Sequence, residues 1–539
     1  MSSSPVYSGD TLSNETAQIV IAPERHGEGL YAVFEDQGSP IAFYDDDGLL
    51  PEHSFRIDRD FTTVEVQDRA DPKISTRKVL VPYRRYFGRP EKGTAPPLAL
   101  LQALGDAMEF NDFGDQTGTI PAGYTYFGQF VLHDLTSMTP SITPGKSKPK
   151  NIRSATLDLD SVFGAMPPGG ASASSQACPA PMAVGETTDG RLLDLPRATD
   201  GMPCIADRRN DSNLALAQTH MALIRFFNAV RRLSDDADEA RRLTQLHLQS
   251  VVLHDYARRL IDNVIYQDVM ERGRAVIDVD ADGFKLPLEF AAACARFGHS
   301  MIRNRYPWNA WNPGATVSAF WDNTYNSAIT PMTRLRGQWV ADWRRLLAIG
   351  LTEAQGAIFA AKIDTRLAFE LRQIRPQALP HTTGSMPLSR NLAVRTLQRS
   401  YLLELSSAQH VFHCVAGKLG DRAPPGFAPL TEPELLDGES QAVRDALTER
   451  PEGGAARLVD STPLWFYVLK EAAVKGCGLK LGPLGSRIVM ETLHAAVSAA
   501  EPSILDPSVQ PWRPDPRLHP SSESYALPNL IAFSGLLDS

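Results

Sequence analysis

Apolar residues recur at helical spacing through most of the chain. Between Asn213 and Leu233 they fall at Leu214, Ala217, Met221, Ile224 and Phe227, a stripe that predicts a helix with Asp211 or Ser212 at its N-cap. Leu98 to Met108, Thr125 to Thr136, Ser250 to Val269 and Leu286 to Arg303 predict four more helices. Leu392 to Arg399 reads as a buried, mixed segment. Pro463 to Lys470 opens a helical C-terminal region, and the turn Leu481-Gly482-Pro483 feeds a further helix, Ile488 to Ala499. Strand-like alternation is concentrated in residues 1–78, at Gln18 to Ala22 and Thr62 to Val66, where it predicts isolated strands. The expectation is a mainly α body over residues 79–539 with few short strands, and an N-terminal segment, residues 1–78, packed on it.

Two long stretches interrupt this pattern. Thr139 to Arg209 is loop-rich, with Pro167-Pro168-Gly169-Gly170 and a Ser/Ala run from Ala171 to Ala177, and such length without periodicity goes with function or flexibility. The tail from Ser503 is proline-rich and is expected to wrap over the body. At 539 residues and 43% hydrophobic content the chain can bury a large core. A net charge of −9 gives no electrostatic reason to expect nucleic acid or an anionic membrane as partner. The five cysteines are widely spaced and form no CxxC, so reduced thiols are expected rather than a disulfide framework or zinc knuckle. No run approaches 18 apolar residues and Met1 to Pro5 lacks a secretory signal pattern, so the expected location is cytoplasmic, or exported without a recognisable signal peptide.

Candidate chemistry sits on three of these elements. On the helix through Thr125 to Thr136, Gln129 and His133 share a face, while Asp134 is turned away by about 100°. One helix can therefore serve two sites: a neutral imidazole that moves a proton, and a carboxylate that holds a hard cation. In Ser154-Ala155-Thr156-Leu157-Asp158-Leu159-Asp160, oxygen-bearing side chains alternate, so an extended loop presents them to one side. With Asp134 they would make the oxygen-only shell that calcium prefers, and a solvated loop fits the same pattern. Arg209 stands just before a helix start, where a long cation can reach into a cleft or pair with Asp207 or Asp211. His299 shares a helical face with Leu288, Ala292, Ala295 and Ile302, small neighbours that leave room for a flat group to approach its ring, as a haem iron ligand requires; a core histidine capped by a carbonyl is the other reading.

In order and spacing, five segments resemble the animal-type haem peroxidase superfamily, specifically its bacterial members, over roughly residues 79–514. They are Phe127-Gly128-Gln129-Phe130-Val131-Leu132-His133-Asp134, Leu157 to Gly164, Asp207 to Asn213, Arg296-Phe297-Gly298-His299, and Leu464-Trp465-Phe466-Tyr467 with Leu481-Gly482-Pro483. The resemblance implies a helical fold around haem b, with His299 as iron ligand and His133 as acid/base. It places Arg209 and Gln129 in the pocket on the His133 side. Arg296 and Thr396 fall beside the haem near His299, and Asp134, Ser154, Thr156, Asp158 and Asp160 look like calcium ligands. It implies a peroxidase that reduces hydrogen peroxide and oxidises a phenol, another small organic reductant or a halide.

The departures shape that expectation. Leu132 and Ser212 stand where mammalian members attach haem through carboxylates, and Asn213 where one has a methionine link, so non-covalent haem is expected. Thr396 replaces the asparagine that bonds the iron's histidine. In fatty-acid dioxygenases of the same superfamily a radical tyrosine lies three residues before that histidine; here the position is Arg296, which favours the peroxidase reading and leaves another tyrosine, such as Tyr306, as the route to a dioxygenase. A haem- and calcium-binding scaffold without catalysis is the third reading.

Overall fold

A computed structural model describes residues 82–537 apart from 91–94, 109–116, 139–148, 165–181, 235, 281–282, 326–331, 375–388, 452–454 and 520–524, and elsewhere only the backbone of short strands. The body is mainly α. Its first helices are α1 (Leu98–Ala107), α2 (Gly123–Leu135), the single turn α3 (Asp160–Phe163), α4 (Leu214–Arg231) and α5 (Ala237–Ser250). Later helices include Leu392–Leu402, Leu464–Lys475 and Pro483–Ser498. Two-stranded pairs stitch distant segments together, such as Thr117–Pro121 with Phe359–Ala361 and Lys150–Asn151 with Val81–Pro82, both antiparallel. The two alternating stretches near the N-terminus lie in Ala17–Pro23 and Thr63–Gln67 and are paired rather than isolated, within antiparallel sheets of four and three strands. Pro167 to Ala177 and Cys178 fall outside the described residues, and the other four cysteines form no disulfide. No helix among the described residues is long and apolar enough to cross a membrane.

Helix boundaries depart from the periodicity where side chains compete for backbone groups. The cap of α4 is Asn213, whose Oδ1 accepts from Leu216 N at 2.9 Å, because Arg208–Asp211 is already wound as a 3₁₀ turn. Ser250 to Val269 is not one helix: α5 runs into a π-helical stretch, Val251–Ala257, and the chain restarts as Asn263–Arg272 on an Asp262 cap. Leu286 to Arg303 also divides. A helical turn, Leu288–Ala292, gives way at Ala293 to a 3₁₀ segment, Cys294–His299. The carbonyl of Ala291, which would accept from residue 295 in a continuing helix, instead takes Nε of Arg296 at 3.1 Å. His299 therefore ends a tight turn rather than facing out from a helix.

In the main core cluster α2 packs against α4, and Leu464–Lys475 packs against both Pro483–Ser498 and the Cys294–His299 segment, with a small second cluster at Leu288, Ala292 and Leu403. Trp465 is fully buried and its indole N–H donates to Arg296 O at 3.1 Å, which pins that segment. Gly128 in the middle of α2 lets the Tyr256 hydroxyl sit where a β-carbon would be. Alanine there gains up to about 1 kcal/mol of helix propensity. The overlap with a rigid buried ring is expected to outweigh that gain, so Gly128→Ala should lose about 1–3 kcal/mol by denaturant unfolding.

Candidate active site

The C-terminal end of α2 carries the first half of the site. His133 is 7% exposed and Asp134 wholly buried, facing different neighbours as the helical spacing predicts. Nδ1 of His133 lies 2.8 Å from Oδ1 of Asn210, and Nδ2 of Asn210 lies 2.9 Å from Nδ1 of His220 on α4. Gln129 accepts from Asn213 Nδ2 at 3.1 Å, so its own amide N–H groups remain donors on the half-buried face it shares with His133. Burial, reinforced by the charge of Arg209, pushes His133 down to about 3, so the ring is neutral.

Arg209 does not reach into a cleft. Its Nε and Nη2 bind Asp207 at 2.9 and 2.6 Å, Nη2 also donates to His133 O at 2.9 Å, and Nη1 donates to Thr136 O at 2.9 Å. The guanidinium thus clamps the last turn of α2, where a cation also complements the helix dipole. Asp207 is buried between Arg153, at 2.5 Å, and Arg209; burial opposes its ionisation, but the two cations outweigh it and hold its carboxyl well below the usual range.

The second half of α2's chemistry is the acidic cluster. Ligand oxygens of Asp134, Asp158 and Asp160 lie within 4.8 Å of one another. Leu159 N and Ser161 N donate to Asp134 at 3.1 Å each, so the predicted loop does fold back onto α2. Ser154 Oγ stands 3.5 Å from Thr156 O beside them. Burial, then the charge of Asp158, pushes Asp134 up to about 7, and burial raises Asp158 and Asp160 as well. Arg153 reaches Asp160 at 3.3 Å, so a continuous ionic chain, Asp160–Arg153–Asp207–Arg209, joins this cluster to the end of the His133 helix.

Around His299 the balance of charge is reversed. Arg296, Arg395 and Arg399 are deep in the protein and pair with no carboxylate among the described residues. Burial, then their mutual repulsion, pushes Arg395 down to about 9 and Arg296 well below its ordinary value. Tyr83, bonded to Thr136 Oγ1, stands close enough to Arg209, Arg296 and Arg399 to feel all three charges, so the two halves of the site adjoin. Tyr83, Arg296, His299 and Arg399 are each half-buried. Burial and the nearby Arg296 and Arg399 keep His299 neutral. Its Nδ1 is buried with no hydrogen-bond partner among the described residues. Thr396 does not supply one, because its hydroxyl donates to Leu392 O at 2.8 Å within its own helix. The ring is held instead by packing, 6.1 Å from the ring of Trp465.

Comparison with solved structures decides the fold. Peroxidase A from Dictyostelium discoideum superposes with a TM-score of 0.55 over 87% of this chain and 95% of its own, at 14% identity. The fold is that of the animal-type haem peroxidase superfamily. A fatty acid alpha-dioxygenase from Oryza sativa, also of this superfamily, matches at a TM-score of 0.51 and 12% identity, over 85% of this chain and 79% of its own. No protein-family model matches the sequence, and neither does any curated protein.

The residues fit the group that the haem peroxidase fold is built around. Haem b would bring an iron that takes a neutral imidazole and two propionates that need cations, and this region offers neutral His299 and three half-buried arginines without carboxylate partners among the described residues. Leu132 and Ser212 have no carboxylate with which to form an ester. Sequence reasoning had placed His133, Gln129, Arg209, His299, Arg296, Thr396 and the acidic loop, but missed Asn210, His220, Arg153, Tyr83, Arg395 and Arg399. For the last pair a signal existed: arginines four apart on one helix share one face.

Proposed function

We propose that this protein is a haem peroxidase that reduces hydrogen peroxide and oxidises a phenol, another small organic reductant or a halide. The observation that carries this reading is a neutral imidazole, His133, bonded at Nδ1 to Asn210, and a second neutral imidazole, His299, set among half-buried arginines that pair with no carboxylate among the described residues. Haem, when bound, supplies an iron that accepts peroxide and passes on its oxidising equivalents. His133 takes the peroxide proton at Nε2 and returns it to the departing oxygen. Gln129 offers amide donors to the bound oxygens, and Arg209 holds the His133 turn in place with its charge beside it. His299 would ligate the iron, and Arg296, Arg395 and Arg399 would hold the propionates. For the dioxygenase reading, the position three residues before His299 holds Arg296, held to Ala291 O, in place of a tyrosine, so another tyrosine such as Tyr306 would have to serve.

The test is to mix haem-loaded protein with a small excess of peroxide and follow the Soret band. A fast change that phenol reverses is expected; a band indifferent to peroxide overturns the reading and leaves the dioxygenase, tested by fatty-acid turnover, or the inert scaffold.

Asp134, Asp158 and Asp160, with the Ser154 hydroxyl and Thr156 carbonyl, would hold calcium. Without a cation their raised carboxyls bind more protons folded than unfolded, between about 4 and the folded value near 7 for Asp134. Stability of the cation-free protein therefore falls as pH rises through that window, and calcium, by favouring the ionised forms, opposes the fall. The melting-temperature gap between calcium and chelator is expected to widen from about pH 5 to about pH 7.5, and to close in Asp158→Ala/Asp160→Ala. Identical melting with and without chelator at the higher pH removes the cation from the site.

A further inference from the structure

The two hydrogen bonds at Asn210 carry directional information. An amide has one end that only accepts and one that only donates. Oδ1 faces Nδ1 of His133 at 2.8 Å, so that nitrogen must carry a proton. Nδ2 faces Nδ1 of His220 at 2.9 Å, so that nitrogen must be bare. Turning the amide over would invert both rings at once: His133 would hold its proton on Nε2 and could no longer accept one there.

The surroundings hold the amide from both sides. Asn210 is fully buried, and its backbone N–H is tied to Asp207 O at 3.0 Å within the turn that Arg209 anchors. His220 is fully buried on α4, and its Nε2 has no hydrogen-bond partner among the described residues. Burial pushes this ring down to about 4, so it stays neutral and its Nδ1 can accept. With Nδ1 bare, the proton of this neutral ring sits on Nε2, a buried donor without a partner among the described residues, which is a costly arrangement for packing alone. Its one polar service within the described structure is to receive the Asn210 amide.

We propose that Asn210 and His220 are positioning residues for His133, locking its imidazole in the tautomer with the proton on Nδ1 and the lone pair on Nε2. This rests on the functional reading above, in which Nε2 is the atom that takes the substrate proton. It adds that the base is prepared by an Asn–His pair, Asn210 in the 3₁₀ turn before α4 and His220 on α4, both acting behind the His133 ring.

Cyanide tests this without turnover, because hydrogen cyanide must give up its proton near His133 as it binds ferric haem. Association is followed by the Soret shift, using the full chain loaded with haem. Asn210→Leu is expected to slow association about 10–100-fold, the range for losing an orienting outer partner. Asn210→Asp keeps an acceptor toward His133 and is expected to recover most of that rate. A purely structural role predicts the opposite order, since a charge at a fully buried position costs more than an apolar isostere. Should Asn210→Leu not fold, His220→Leu serves in its place, because it leaves the amide free to turn and should also slow cyanide. Variants that match the wild-type rate, or an Asn210→Asp slower than Asn210→Leu, overturn the inference while leaving the peroxidase reading intact. A wild type whose Soret band ignores cyanide overturns both.

Discussion

His299→Ala is expected to abolish tight haem binding while leaving the fold in place. The ring of His299 is bonded to no described residue through Nδ1, and it contributes packing against Trp465 at the end of a 3₁₀ turn. Removing it costs the protein little by itself, and Cys294–His299 remains held by the Trp465 indole on Arg296 O. What is lost is the ligating nitrogen. Loss of an outer partner already weakens a metal site about 10–100-fold, and loss of the ligand should cost at least that much. The measurement is a haem titration followed by the Soret band, with far-ultraviolet circular dichroism as the control for folding. Added imidazole should restore a histidine-type spectrum by filling the vacated volume. A variant that keeps a normal histidine-ligated spectrum without imidazole would overturn the assignment of His299. The arginines provide a contrasting case, because Arg296, Arg395 and Arg399 repel one another in a buried space. Replacing one of them with an uncharged residue relieves repulsion in the haem-free protein while weakening its grip on haem, so stability and affinity should move in opposite directions.

How legible the site was depended on whether its geometry is local. The different facing of His133 and Asp134 follows from a 100° step along one helix, and in α2 the first meets Asn210 and the second the Leu159–Ser161 turn. The alternating oxygens from Ser154 to Asp160 also act locally, and the loop does bring Asp158 and Asp160 to Asp134. The break at Ala293 was not legible, because it depends on the Arg296 side chain taking a carbonyl that periodicity assigns to the helix. Arg209 shows a different limit. Its place before α4 was readable, but the direction of its guanidinium was decided by Asp207, two residues away, and by the carbonyls of His133 and Thr136. Asn210 and His220 lie 77 and 10 residues from the groups they bond, His133 and Asn210 respectively, and meet only when α4 packs on α2. Polar pairs of that kind leave no periodic trace, whereas an apolar stripe does.

His133→Ala is expected to retain haem and to slow the reaction with peroxide about 10²–10⁴-fold, the usual worth of a positioned general acid/base. The substitution is informative because the imidazole is neutral well below physiological pH, so at neutral pH the wild-type ring already has a lone pair able to accept a proton. Alanine also removes the acceptor's partner at Asn210, leaving a buried amide oxygen unsatisfied, which should cost about 1–3 kcal/mol of stability. That loss could be mistaken for collapse of the α2 turn. Two observations separate them. The Arg209 clamp binds the backbone carbonyl of residue 133 rather than its side chain, so it survives the substitution. Asp134 points to the acidic cluster, so calcium-dependent melting should also survive. A variant with intact haem, intact calcium response and a peroxide rate reduced by two orders of magnitude or more would isolate the imidazole as the proton carrier. An unchanged second-order rate with peroxide would remove His133 from the chemistry, and with it the reason for an Asn–His pair held behind its ring.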